Sequence, residues 1–414
     1  MRSAASVLGT MLFLASSLGH ASAAGPPERG SVRIGLLEPR SNGFALEGDD
    51  VDAGFRYYLA THDDRLGGFR VEIRTADEGA SPADALAGAR QLAEQDTVDA
   101  VVGGLVSLDT LGIVDYLDDR KLPIVVTAAG ADDLTQKPSR KSLVRVARTA
   151  SQEEMPLGDY VCRRLGKRTA TIVAVDRDFG WESAGGFARA YTDAGCRIVQ
   201  EQYGAEGSDW NPIVAKLDRG ASVVFASVGG IDAVAFLAAY RAAGVRAPLT
   251  GDGLLTDERV LAAEREGAIG TWTALHYAAT LPVPENTAFR EGYESLERRP
   301  VSQFVENGYT AAAVLSKALD ALPPGAIKSD ALAAALRAAR VDVPRGPVHF
   351  DAYGQIVNDV YVRRVVLVGG RPRNVVIAKY PSVSQFWRYE PAKLLQFPPY
   401  AKLKGTWARP YGTL

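Results

Sequence analysis

From residue 31 onward, short apolar runs alternate with stripes of apolar residues at helical spacing. Residues 31–37 (SVRIGLL) predict a strand, 49–59 a helix, and 69–75 (FRVEIRT) a strand by their alternation. Ser81-Pro82 opens the next helix, with Ser as cap and Pro in the first turn; that helix runs to Leu92. Ala100-Val101-Val102 reads as a buried strand, and Gly103-Gly104 breaks it. Ser107 stands where a helix N-cap belongs, and Leu108, Leu111, Val114 and Leu117 form the stripe of the helix that follows. A strand over 123–126, a loop over 127–135 (TAAGADDLT) and a strand over 143–146 complete the unit. This β-α-β-α-β-α-β order predicts a parallel sheet covered by helices.

The pattern then restarts. Ser151 with Glu154 three residues on predicts a capping box, opening a helix to Leu165. Strands are predicted over 170–175, 197–202, 222–226 and 247–250. Helices are predicted over 181–194, 210–217 (capped by Ser208-Asp209) and 231–243, with a short one from Thr256 or Asp257. Two α/β units of similar length predict two lobes of one architecture. Past residue 270 the rhythm changes: a strand over 270–277, helices over 286–298, 303–322 and 329–339, then Val-rich strands over 361–368 and 374–378. Helices with no sheet of their own are expected to return and cover the first lobe, with the final strands crossing to the second. Residues past 382 are rich in aromatics and prolines without periodicity, and predict an extended tail packed on the surface.

The chain has 414 residues, too many for one compact core, so its size agrees with two lobes. A net charge of −2 offers no basic excess for nucleic acid. Met1-Arg2, an apolar stretch over 7–18 and Ala21-Ser22-Ala23 predict a signal peptide cleaved near Ala23, with the mature chain starting near Ala24 and residues 24–30 as a disordered lead. No stretch approaches the ~20 apolar residues of a membrane span. No Cys stands directly after the apolar stretch, so a lipid anchor is not expected. Cys162 and Cys196 lack the spacing of a zinc or redox motif, and in an exported chain they predict one disulfide. His62, His276 and His349 are scattered, so no metal site is expected. No GxSxG elbow exists, and Gly251-Asp252-Gly253 lacks the third glycine of a dinucleotide loop. Without a catalytic constellation, the expectation is binding without turnover: not an enzyme, and no cofactor.

One stretch suggests what is bound. Gly103-Gly104 followed by a helix start makes a nest of backbone N–H groups at the positive helix end, which suits an anion. GGLVS lacks the Lys of a phosphate loop, so a small carboxylate held by N–H groups and the Ser107 hydroxyl is the better fit. The alternative is an ordinary turn whose Ser only caps the helix.

Several stretches together resemble a known family: VRIGLLEP, LEGDDVDAGFRYYL, VDAVVGGLVSLDT, LPIVVTAAGADDLT, DRDFGWESAGGFARAYTDAGCRI, VVFASVGGIDAVAFL, LTGDGLLTDE and ENGYTAAAVLSKAL, in this order over about residues 31–381. The chain resembles the periplasmic solute-binding proteins of the leucine-binding, branched-chain amino-acid ABC importer type. The resemblance implies an α/β fold, a type I periplasmic binding protein: two Rossmann-like lobes with parallel-sheet cores, joined by three crossovers around a ligand cleft. It implies residues 31–148 plus 279–350 as the first lobe, 149–278 plus 351–382 as the second, and 383–414 as a C-terminal extension.

Carried over position by position, the resemblance implies that Ser107 holds the ligand's carboxylate, with backbone help from Ala129 and Gly130. Phe179 closes from the second lobe, and Phe304 replaces a Tyr. Asp252 lies near the acid that grips an ammonium; Glu47 and Tyr277 are further candidates, and Gly229 stands where an aromatic is common. Neutral donors for a carboxylate, with Asp252 opposite, predict a zwitterion, an amino acid with a branched-chain or aromatic side chain. The rival is an aromatic carboxylic acid without an amine. The expected partners are this solute and ABC permease subunits at the membrane, with the protein a monomer in the periplasm. A ligand sensor without transport is the alternative role.

Overall fold

The computed structural model describes residues 29–136, 140–263 and 267–408. The signal-peptide reading, with its cleavage site, lies outside the described residues. Strands β1 (Ser31–Glu38), β2 (Arg65–Leu66), β3 (Phe69–Asp77), β4 (Ala100–Gly103), β5 (Ile124–Val126) and β6 (Leu143–Arg145) form the first sheet in the order β2-β3-β1-β4-β5-β6. All neighbours are parallel except the short β2, which is antiparallel to β3. β4, β5 and β6 are buried throughout, as strands with helices on both faces must be.

Helices Ala45–Ala60 and Gln303–Asp320 lie against one another over this sheet. Glycines set how closely they approach: a Cβ on Gly54 would fall 1.9 Å from the Val305 carbonyl oxygen, and one on Gly308 2.0 Å from that of Val51. Ile34, Phe55, Phe69, Leu315 and Leu336 share one core, so the late helices do return to the first lobe.

The second sheet runs β8 (Arg197–Gly204), β7 (Thr169–Val175), β9 (Val223–Ser227), β10 (Leu249–Asp252) and β11 (Trp272–Leu275), all parallel. The hairpin β14 (Ile356–Val368) and β15 (Arg371–Val383) adds antiparallel to β11. A smaller pair, β12 (Val341–Val343) and β13 (Gly346–Phe350), bonds to the start of β14 while Val343, Val348 and Phe350 pack in the first lobe's core. Stacked Phe187 and Phe225 rings, 4.2 Å between centroids, mark the centre of the second lobe. Cys162 and Cys196 are joined there by a disulfide, with Cα atoms 6.0 Å apart.

Two local readings are corrected. Ser107 is the first residue of the helix Ser107–Asp119 and Val106 is its cap, so the Ser107 hydroxyl does not cap. The Ser151–Glu154 capping box does not form: the helix begins at Glu154 with Glu153 as cap and no side-chain bond. The reason is competition, because Thr149 and Gln152 bond to each other and Gln152 reaches the Ile356 and Val383 carbonyls at 3.1 and 2.9 Å.

The tail is also more than a surface strap. Phe386 and Trp407 are 3% and 2% exposed, and Trp407 joins the second lobe's core. A Cβ on Gly185 would sit 2.2 Å from the Tyr400 ring, so the helix Asp178–Asp193 is bare there to receive it. The Glu201 carboxylate accepts from the Gly405 and Ala408 N–H groups, which covers the edge strand β8. Scattered aromatics can bury this way without periodicity, since they fill separate gaps in a preformed face.

The chain passes between the lobes near residues 146–153, 276–283 and 351–355, and these crossings are tied by buried polar side chains. Arg145 bonds Gln355 at 2.6 Å, and Gln355 bonds the Ala147 carbonyl and Gln152 at 2.7 and 2.9 Å. Glu153 accepts from the His276 backbone N–H at 2.7 Å, and the imidazole reaches Asn307, which Arg345 also bonds. A buried network of this kind orders the crossings alongside the apolar cluster that includes Tyr277 and Leu281.

Candidate ligand-binding site

In open parallel sheets, ligands meet the carboxyl ends of the strands. On the first lobe that edge carries Glu38, Glu78, the 103–107 turn and Thr127. Gly103 and Gly104 take φ of +146° and +87°, and a Cβ on Gly103 would strike the Leu37 carbonyl oxygen at 1.9 Å. The turn therefore needs glycine and aims N–H groups as predicted. Those groups are not open to a ligand: Leu105 and Val106 N–H donate to the Glu78 carboxylate at 2.9 and 3.0 Å. Burial pushes the Glu78 carboxyl up to about 8, against the two N–H bonds that favour its charged form. Glu38 beside it is held well above the usual carboxylate range by burial and then by Glu78, and accepts from the Thr127 hydroxyl at 2.9 Å.

Ser107 remains at this edge, its Oγ accepting from the Ala131 N–H at 3.1 Å, which leaves the hydroxyl proton to donate. The Ala129 N–H is taken by the Gly104 carbonyl at 2.9 Å, and the Ala129 carbonyl by Arg145 at 3.0 Å, so Ala129 offers no free amide. Gly130 faces the other lobe: a Cβ there would lie 3.7 Å from Cδ2 of Phe179. Phe179, on the first turn of the helix Asp178–Asp193, thus closes over Gly130. Ser107, Gly130 and Phe179 are brought together.

Across the cleft, Ser227 and Asp252 end the neighbouring strands β9 and β10. Gly251 pairs with Ala226, so the next residues, Asp252 and Ser227, stand side by side. Asp252 Oδ1 accepts from the Leu254 N–H at 2.7 Å, while its Oδ2 is buried with no hydrogen-bond partner. Burial pushes the Asp252 carboxyl up to about 6; Arg148, then the nearby Ser227 hydroxyl, pull the other way. The Ser227 Oγ itself makes no well-formed hydrogen bond. Glu154, fully buried and with neither carboxylate oxygen bonded, lies close enough for Asp252 to push its carboxyl further up after burial has raised it.

Space beside Gly229 is filled from within the lobe, because a Cβ there would meet Leu254 at 3.0 Å. Leu254, half-buried, stands where an aromatic at Gly229 would reach.

Three candidates stand apart from this floor. Glu47 lies at the rim, 3.9 Å from Arg259 of the second lobe, and Arg259 also meets Asp50 at 2.6 Å and the Leu46 carbonyl at 2.8 Å. Glu47 thus lies among contacts between the lobes. Tyr277 is 2% exposed in a crossing cluster with Tyr57, Phe289, Tyr293 and Tyr361. Phe304 is half-buried at the start of the helix Gln303–Asp320. Two more contacts join the lobes: Arg177 stands 5.3 Å over the Phe44 ring, and Glu182 accepts from the Asp132 N–H at 3.0 Å.

The family model described as periplasmic binding protein matches residues 31–371. The chain belongs to the periplasmic binding protein family. Among similar proteins, Leu/Ile/Val-binding protein homolog 6 of Brucella melitensis is 30% identical over 345 residues, 81% of this chain and 87% of that one. A solute-binding protein of an ABC transporter from R. palustris, solved in complex with benzoate, is 27% identical with a TM-score of 0.79, over 86% of this chain and 98% of that one. An ABC transporter substrate-binding protein from Sphaerobacter thermophilus is 27% identical with a TM-score of 0.82, over 86% and 99%.

Sequence reasoning about this binding protein missed Arg148, Glu154, Ser227, Glu78 and Arg259. A signal existed for the first two. Every residue from 142 to 158 is buried, yet the segment carries Arg145, Arg148, Glu153 and Glu154. Charges in a stretch flanked by apolar runs point to a buried polar junction.

Proposed function

We propose that this protein is the extracytoplasmic receptor of an ABC importer, and that it binds an amino acid with an apolar or aromatic side chain in the cleft between its lobes. It works by closure of the lobes, presents the loaded form to permease subunits, acts as a monomer and performs no catalysis. The observation that carries the ligand class is the buried, unpartnered Oδ2 of Asp252, with unpartnered Glu154 beside it. Acceptors left bare in a closed site favour a ligand that brings N–H donors and positive charge. Ser107 and Gly130 are the neutral donors for the carboxylate, and Phe179 and Leu254 supply apolar walls. A relative named for Leu/Ile/Val binding supports this reading.

The second reading is an aromatic carboxylic acid, favoured by the benzoate complex of the R. palustris neighbour and by the Phe179 ring over Gly130. A thermal-shift screen of leucine, valine and phenylalanine against benzoate and hydroxybenzoates separates them. The expected result is stabilisation by an amino acid. The Asp252→Asn variant is expected to weaken that amino acid by about 2–5 kcal/mol and to leave benzoate unharmed. Strong benzoate binding with no response to any amino acid overturns the amino-acid reading.

A further inference from the structure

The first lobe's edge is partly filled from within: the Glu78 carboxyl accepts from the Leu105 and Val106 N–H groups. The amide of Ala129 is also taken. A solute carboxylate entering the cleft therefore meets the Ser107 hydroxyl and the first-turn N–H groups of the helix Ser107–Asp119, but not those of Leu105 and Val106, and among these neutral donors it finds no full positive charge. Arg148 is a buried cation with an unpartnered nitrogen.

Arg148 lies on the first crossing between lobes, its side chain 7% exposed. Its Nε faces Glu153 Oε2 at 3.1 Å, and Glu153 in turn is fixed by the His276 backbone N–H and ring nitrogen, each at 2.7 Å. The guanidinium is thus held from behind. Its carbon stands 5.3 Å from the centroid of Phe179, the ring that closes over Gly130. Its Nη1 is buried and has no hydrogen-bond partner. Asp252 and Glu154 feel its charge, so it belongs to the same floor.

We propose that Arg148 is the charged anchor of the solute's carboxylate: Nη1 donates to it between Phe179 and the Ser107 edge, while Glu153 keeps the guanidinium in place. A planar, always-charged donor suits a carboxylate better than any neutral group here. The inference rests on the reading that a carboxylate-bearing solute enters this cleft, and holds whether that solute is an amino acid or an aromatic acid.

The test uses leucine and benzoate labelled with carbon-13 at the carboxylate, whichever binds the native protein. Arg148→Lys keeps the charge facing Glu153 and so the crossing. Arg148→Gln removes the charge. The expected result is a shift of the bound carboxylate resonance in Arg148→Lys, and a loss of affinity of about 30-fold or more in Arg148→Gln. A resonance unmoved in Arg148→Lys, with native affinity, overturns the anchor while the proposed function stands. Failure of every carboxylate to bind the native protein overturns both.

Discussion

Glu78 takes from inside the first lobe the N–H groups that a ligand would take from solution, those of Leu105 and Val106 in the turn before Ser107–Asp119. Its carboxyl, ordinarily near 4.5, is pushed up to about 8 by burial. Between those values the folded state holds a proton that the unfolded chain has released, so this group's contribution to stability falls as pH rises. Glu78→Gln removes that slope. Urea midpoints measured from pH 5 to 8 are expected to fall for the native protein relative to Glu78→Gln; parallel curves would contradict the assignment. The same residue explains what was legible at this scale. The 103–107 turn and the place of Ser107 could be read because glycines and a hydroxyl carry local signals. The occupant of the nest could not be, since Glu78 reaches it from the end of a different strand. Arg148 carried a signal as a charge between apolar runs, but its partners did not: Glu153, Phe179 and Asp252 are assembled around it only by the fold.

At the scale of elements, the alternation of strands and helices was largely readable, because each buried parallel strand is a short apolar run and each helix a stripe. Ends were less so. The predicted helix over 181–194 starts at Asp178, and the predicted box at Ser151 is lost to the crossing network. The tail lacked any periodic signal, yet it places Trp407 in the second lobe. In the same lobe the disulfide closes a loop of 34 residues between the helix Glu154–Arg163 and β8. Replacing both cysteines by serine is expected to lower unfolding free energy by roughly 2–4 kcal/mol in urea titrations, without loss of ligand binding. Stability equal to the native protein would show that the crosslink is dispensable.

At the scale of the whole molecule, two lobes meet through Arg259, which reaches Asp50 and the Leu46 carbonyl across the rim. On the proposed closure of the lobes, a contact made across the rim is expected to favour the closed form. Arg259→Ala is expected to raise the radius of gyration of the unliganded protein in small-angle scattering. It is also expected to weaken ligand binding on the order of tenfold. An unchanged scattering curve would assign closure to other contacts. The two-lobed fold follows from a restarted α/β rhythm, whereas the ligand's identity depends on which polar atoms the closed cleft leaves bare. The most direct measurement is therefore a crystal structure of the protein with the amino acid that stabilises it most. The ligand ammonium is expected within about 3 Å of Asp252 Oδ2 and its carboxylate within about 3 Å of Ser107 Oγ, in the cleft beside Phe179. A ligand that turns its carboxylate toward Asp252, or that binds outside this cleft, would contradict it.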